Sequence, residues 1–300
     1  MKSFISNKLK KSVISQLRNY GKLMRVDKPV GLWLLLWPTL WALWLAGEGH
    51  PDQGLFVVFV AGVFVMRSAG CVLNDYVDRK IDPYVERTRT RPIASGAVAP
   101  TEALVLFVAL SLIAVGLATM LNRPARMLAI IAAGLTLAYP FIKRWVSIPQ
   151  FVLGAAFGWA VPMAFAAQTG STPQLAWLVF GVAVIWAVIY DTFYAMVDRE
   201  DDRKLGVKST ALLFGEVDLF VIAGLQLLML AALIFVGLRA ELGLWYFLAV
   251  AAAAALMAYH QWLARERQPA DCFAAFMHNH YIGFVVFVGI VLHYSFSPAQ

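Results

Sequence analysis

The sequence predicts an all-α polytopic membrane protein, a bundle of about nine transmembrane helices. Three observations predict it. The chain of 300 residues is 61% hydrophobic and 14% charged, with a mean hydropathy of +0.70. A soluble domain carries about 25% charged residues, so the solvent for this much apolar surface is lipid. The apolar residues gather in runs of roughly 20, the length that crosses a bilayer core. The lysines and arginines crowd onto alternate loops, which gives the bundle an orientation.

Taken in order, the runs place helices near 30–47, 55–79, 101–120, 126–143, 150–169, 174–199, 215–238, 243–264 and 278–296. An odd number of spans sets the termini on opposite sides. Segments 1–28, 79–100, 143–149, 199–214 and 265–277 hold 21 of the 25 lysines and arginines. The opposite loops hold Arg123, Arg126 and Arg239, and Arg67 falls inside the second span. The N-terminus is therefore expected in the cytoplasm and the C-terminus outside it.

The whole chain, 1–300, reads as one transmembrane domain. Its first 28 residues are basic, and 8–26 read as an amphipathic helix lying on an anionic membrane surface. The run that follows is long and rich in tryptophan (Trp33, Trp37, Trp41, Trp44), so it reads as a retained span rather than a signal peptide. The two cysteines, Cys71 and Cys272, lie in or beside spans and indicate neither a disulfide framework nor a zinc site. Gly154 and Gly158 have the spacing of close helix packing. His278 and His280 are two apart and do not share a helical face.

One feature does not fit a set of plain spans. The second ends in Asn74-Asp75-Tyr76-Val77-Asp78-Arg79-Lys80-Ile81-Asp82. The sixth ends in Asp191 and, seven residues on, Asp198-Arg199-Glu200-Asp201-Asp202. Asn74, Asp78 and Asp82 are spaced by four, as are Asp198 and Asp202, so helical continuation aligns each set on one face. Like charges at that spacing repel, and a cation must offset them. Magnesium favours carboxylate and carbonyl oxygens and takes one or two carboxylates together with substrate phosphates.

Basic residues stand near both clusters: Arg79, Lys80, Arg87, Arg89 and Arg91, then Lys143, Arg144, Lys204 and Lys208. Arginine suits phosphate oxygens. No P-loop or dinucleotide glycine pattern is present, which argues against a nucleotide. A diphosphate on a lipid tail fits, its head in a central cavity at the cytoplasmic mouth and its tail in an apolar groove. Solvated loop charge explains Glu200 and Asp201 well, but not Asn74, Asp75 and Asp191 within apolar helix ends.

The pattern N-D-x-x-D-x-x-x-D followed by D-x-x-x-D, on the second and sixth of nine helices, resembles the intramembrane aromatic prenyltransferases. Arg25-Val26-Asp27-Lys28-Pro29, Leu35-Leu36-Trp37-Pro38, Arg91-Pro92, Tyr139-Pro140-Phe141 and Lys208-Ser209-Thr210 resemble the ubiquinone-biosynthesis branch of that family. The resemblance implies transfer of a polyprenyl group from polyprenyl diphosphate to 4-hydroxybenzoate, at the ring carbon ortho to the hydroxyl. It implies magnesium held by Asn74, Asp78, Asp82, Asp198 and Asp202, with phosphate charge met by Arg79, Lys143 and Arg144. Asp191 and Asp75 are the candidates to stabilise the allylic cation or take the ring proton. Arg25, Lys28 and Arg67 are candidates for the acceptor carboxylate, and Tyr139 for a hydrogen bond to the diphosphate.

Each assignment has a plainer alternative. Arg67 would make an ion pair with Asp75 or Asp191, Arg25 and Lys28 would touch anionic lipid, and Tyr139 would sit in the interfacial belt. Two rival classes also fit intramembrane carboxylates: a prenyltransferase with another acceptor (naphthoate, homogentisate, haem), and a cation-coupled transporter. A transporter places such groups near the midplane, whereas here they sit at span ends on one side.

Overall fold

The computed structural model describes residues 14–142, 146, 148–206 and 208–296, the side chain of Leu205 excepted. Among these, all regular structure is helical. The helices are α1 (14–23), α2 (Val30–Ala46), α3 (Gln53–Val77), α4 (Pro100–Thr119), α5 (Arg123–Ile142), α6 (Pro149–Gly158), α7 (Ala160–Thr169), α8 (Gln174–Val197), α9 (Arg199–Leu205), α10 (Thr210–Phe214), α11 (Asp218–Arg239), α12 (Leu244–Ala264) and α13 (Pro269–Phe296). Among the described residues, eight spans are long and apolar enough to cross a bilayer, with α6 and α7 counted as one and α10 and α11 as another, and α2 is a further apolar helix of 17 residues. The protein is a multi-span helical membrane protein.

Two boundaries differ from the hydropathy reading, each for a local reason. The span expected at 150–169 divides into α6 and α7, because Pro162 has no N–H to give the carbonyl of Gly158. The last helix begins at Pro269 rather than near 278. Proline is pre-set for the first helical turn, and Asp271, His278 and His280 interrupt hydropathy without interrupting a helix.

The described residues fold as two compact units, Met1–Gly31 with Phe64–Gly116, and Leu32–Val63 with Leu117–Gln300. In the first, α1 docks on the start of α4: Gln16 Nε2 donates to Glu102 Oε2 at 3.1 Å. Glu102 in turn accepts the Ala99 amide at 3.0 Å and caps α4. Leu23 is fully buried, while Ile14 and Leu17 of the same helix stay exposed. This leaves α1 with an apolar exposed side, as an interfacial helix requires.

In the second unit α8 is the hub, packed by α6, α7, α11 and α13. Gly154 lets α6 approach, since a Cβ there would meet Ala187 Cβ and the Val184 carbonyl at 3.0 Å. Trp41 and Trp186, both essentially buried, stack with centroids 5.5 Å apart. Each indole N–H is satisfied by α13, Trp41 at the Gly283 carbonyl (2.9 Å) and Trp186 at Asn279 Oδ1 (3.2 Å). Gly283 is obligatory for this arrangement: a Cβ would lie 2.4 Å from the Trp186 ring and 2.5 Å from that of Trp37.

Candidate active site

The first acidic cluster keeps helical register past the end of α3. The Asp78 amide donates to the Asn74 carbonyl and the Asp82 amide to the Asp78 carbonyl, both at 2.9 Å. The three residues therefore recur at successive turns. Asp78 and Asp82 are buried, and Asp82 opens the short 3-10 turn Asp82–Tyr84. Thr88 Oγ1 donates to the Asp82 carbonyl at 2.8 Å and folds the following loop back on the cluster.

Asp75 faces differently and is 1% exposed. Arg25 Nη2 donates to both its oxygens, at 2.8 and 2.9 Å. Arg91 Nη1 reaches Asp75 Oδ1 at 3.1 Å and Asp82 Oδ2 at 3.0 Å. One guanidinium thus ties the buried Asp75 to a candidate metal ligand. Burial pushes the Asp82 carboxyl above its usual range; Arg91 opposes that rise, while Asp75 and Asp78 add to it.

Among the described residues Arg67 contacts backbone. Its guanidinium donates to the carbonyls of Met24 (3.1 Å), Arg25 (2.7 Å) and Lys28 (2.8 Å). It staples the turn between α1 and α2, where Arg25 holds the left-handed φ of +57°. Gly31 makes room for it, since a Cβ there would stand 3.1 Å from Arg67 Nη2. The Lys28 side chain is exposed. Arg79 folds back on its own helix end, donating to the Tyr76 carbonyl at 2.7 Å and lying 4.2 Å over the Tyr76 ring.

In the second unit α8 ends at Val197, and Asp198 (φ −95°, ψ 7°) forms the break before α9. The Asp202 amide donates to the Asp198 carbonyl at 2.8 Å, so the spacing of four is again one helical turn. Asp191 lies half-buried two turns earlier on α8, and Tyr139 half-buried near the end of α5. Glu200 pairs with Arg203 at 2.9 Å on the exposed side of α9. Lys143 and Arg144 lie outside the described residues.

Three residues here were not singled out from sequence. Arg91 appeared only as one of several nearby cations. Asp218 and Arg267 went unnoticed, although Asp218 is fully buried between Arg199 and Arg267. An acidic residue opening the apolar run of α11 was the available signal, and it reads only as helix-dipole complementarity.

The donor chemistry fits magnesium. Asn74, Asp78 and Asp82 offer hard oxygens at the end of α3, and Asp198 and Asp202, taken separately, do so at the end of α8. Among the described residues no three His, Cys, Asp or Glu side chains are grouped so as to hold a metal ion. Magnesium needs no such group, because it keeps waters and completes its shell with substrate phosphate.

The model of the UbiA prenyltransferase family matches residues 35–287. A protein of Nitrosococcus oceani named 4-hydroxybenzoate octaprenyltransferase is 56% identical over 275 residues, 92% of this chain and 96% of its own length. One of the same name from Alkalilimnicola ehrlichii is 55% identical over 273 residues, 91% of this chain and 93% of its own. Among solved structures, the apo form of a UbiA homolog from Aeropyrum pernix K1 superposes with a TM-score of 0.78 at 25% identity, covering 87% of this chain and 97% of that one. A UbiA homolog from Archaeoglobus fulgidus, bound to GPP and Mg2+, gives 0.68 at 18% identity, with 89% and 99% covered.

Proposed function

We propose, from the premise that this chain belongs to the UbiA prenyltransferase family and is a membrane prenyltransferase, that it joins a polyprenyl group to 4-hydroxybenzoate. The new bond forms at the ring carbon ortho to the hydroxyl, and diphosphate leaves. The observation that carries the acceptor is identity above 50%, over more than nine-tenths of the chain, to proteins named for that reaction. Nine spans in a bacterial inner membrane, with the N-terminus and both acidic clusters on the cytoplasmic side, accord with the lysine and arginine distribution.

In this reading both units serve one transferase domain. Asn74, Asp78, Asp82, Asp198 and Asp202 would hold magnesium and, with it, the diphosphate. Bound magnesium would supply positive charge where negative charge develops on the leaving group. Arg79, Lys143 and Arg144 take further phosphate charge, and Tyr139 donates a hydrogen bond to it. The allylic C–O bond breaks, both electrons leave with the diphosphate, and the ring carbon attacks the allylic cation. The ring then loses a proton.

Asp191 is the proposed base for that proton. Asp75 was the other candidate, but both its oxygens are already engaged, by Arg25 and Arg91. Its proposed work is to fix Arg25 and Arg91. The turn bearing Arg25 and Lys28, fastened by Arg67, is the proposed seat of the acceptor carboxylate.

The test is an acceptor panel. Protein in proteoliposomes is given labelled polyprenyl diphosphate with 4-hydroxybenzoate, a naphthoate, homogentisate and haem in competition. Label appearing first on 4-hydroxybenzoate supports the assignment; label appearing first on another acceptor overturns it. Cation uptake surviving Asp78→Asn and Asp198→Asn, with no prenylated product from any acceptor, would favour a transporter.

A further inference from the structure

Asp218 stands in neither acidic cluster, yet it is fully buried at the first residue of α11. Its Oδ1 accepts the Leu219 amide at 2.6 Å and Arg267 Nε at 3.0 Å. Its Oδ2 accepts from Arg199 Nη2. Arg267 comes from the turn between α12 and α13, also donates to the Glu216 carbonyl at 2.6 Å, and holds a left-handed φ of +54°. A buried carboxylate bound this heavily seldom gives more stability than apolar packing would. The strained arginine adds a cost of its own. Both costs call for a role.

The position of Arg199 supplies one. It directly follows Asp198, whose dihedrals break α8 from α9, and Asp202 follows one turn later. The Arg199 Nε is buried without a hydrogen-bond partner, and among the described residues the guanidinium is held by its Nη2 bond to Asp218. The first unit uses the same device: Asp75, equally buried, is held between Arg25 and Arg91, and Arg91 also grips Asp82.

We infer that Asp218 is a positioning residue for the second acidic cluster: with Arg267 it holds Arg199, and so fixes the α8–α9 break that presents Asp198 and Asp202. This rests on the reading of those two aspartates as magnesium ligands. Loss of a group that orients metal ligands weakens metal binding by about 10- to 100-fold. A carboxylate that serves folding alone leaves the metal affinity of the folded protein unchanged.

The experiment measures Mn2+ affinity by electron paramagnetic resonance, on full-length protein in detergent with inorganic diphosphate present, and the melting temperature of each sample. Asp218→Asn is expected to weaken Mn2+ binding about tenfold or more in the folded fraction. Asp218→Glu is expected to recover most of that loss, and Arg267→Gln to show a smaller loss in the same direction. Lower melting temperatures with unchanged Mn2+ affinity in Asp218→Asn and Arg267→Gln would overturn the inference. If Asp218→Asn does not fold, Arg267→Gln decides by the same criterion. Asp198→Asn separates the two levels. If it also leaves Mn2+ affinity unchanged, the magnesium reading falls and the inference with it; if it alone weakens binding, only the inference falls.

Discussion

The Arg25 guanidinium meets both carboxylate oxygens of Asp75, at 2.8 and 2.9 Å, across 50 residues of sequence. The pair lies where the turn before α2 meets the last turn of α3, with Asp75 at 1% exposure and the Arg25 side chain at 16%. Removing one member of such a pair leaves the other charge buried and uncompensated.

Asp75→Asn is therefore expected to cost about 3–5 kcal/mol of stability, because Arg25 loses its buried carboxylate partner and Arg91 keeps only that of Asp82. Asp78→Asn, one turn on, is expected to abolish transfer with a much smaller change in stability. Unfolding curves in detergent, set beside turnover of the folded fraction, check the contrast. Equal stability losses in the two variants would contradict it.

Gly31→Ala inserts a methyl 3.1 Å from Arg67 Nη2. The guanidinium must shift from the carbonyls of Met24, Arg25 and Lys28, and the turn carrying Arg25 and Lys28 loosens. The expected outcome is a raised KM for the aromatic acid, with KM for the polyprenyl diphosphate little changed. Steady-state kinetics with each substrate varied in turn measures this.

Gly283→Ala tests the core away from the site. Its Cβ would lie 2.4 Å from the Trp186 ring and 2.5 Å from the Trp37 ring, both held by further aromatic contacts. Overpacking of this kind costs about 1–3 kcal/mol. A lowered melting temperature, with Mg2+ dependence unchanged in the surviving protein, is the expected result.

The sequence showed the apolar segments and both acidic faces because those signals are local. A run of 20 apolar residues and a spacing of four need no knowledge of the rest of the chain. It did not show the carbonyl staple made by Arg67, since backbone acceptors leave no mark in side-chain pattern. Nor did it show Asp218 between Arg199 and Arg267, partners 19 and 49 residues away that only the packing of α8, α11 and the α12–α13 turn unites. The division at Gly158 was readable from Pro162, but hydropathy alone runs straight through it.

Removal of metal gives a further expectation. EDTA should stop product formation from every acceptor, and added Mg2+ should restore it, since carboxylates alone repel the diphosphate they are proposed to receive. Product formation unaffected by EDTA would contradict the oxygen-ligand reading of both clusters.

The most direct test of the central claim, that the two acidic clusters act together on one diphosphate, is a double-mutant cycle. Prenyl transfer to 4-hydroxybenzoate is measured for the wild type, Asp78→Asn, Asp198→Asn and the double variant at saturating Mg2+. Residues that act as a unit are not additive, so each single variant should lose nearly all activity and the double little more. Wild-type turnover in either single variant, or losses that multiply in the double, would contradict it.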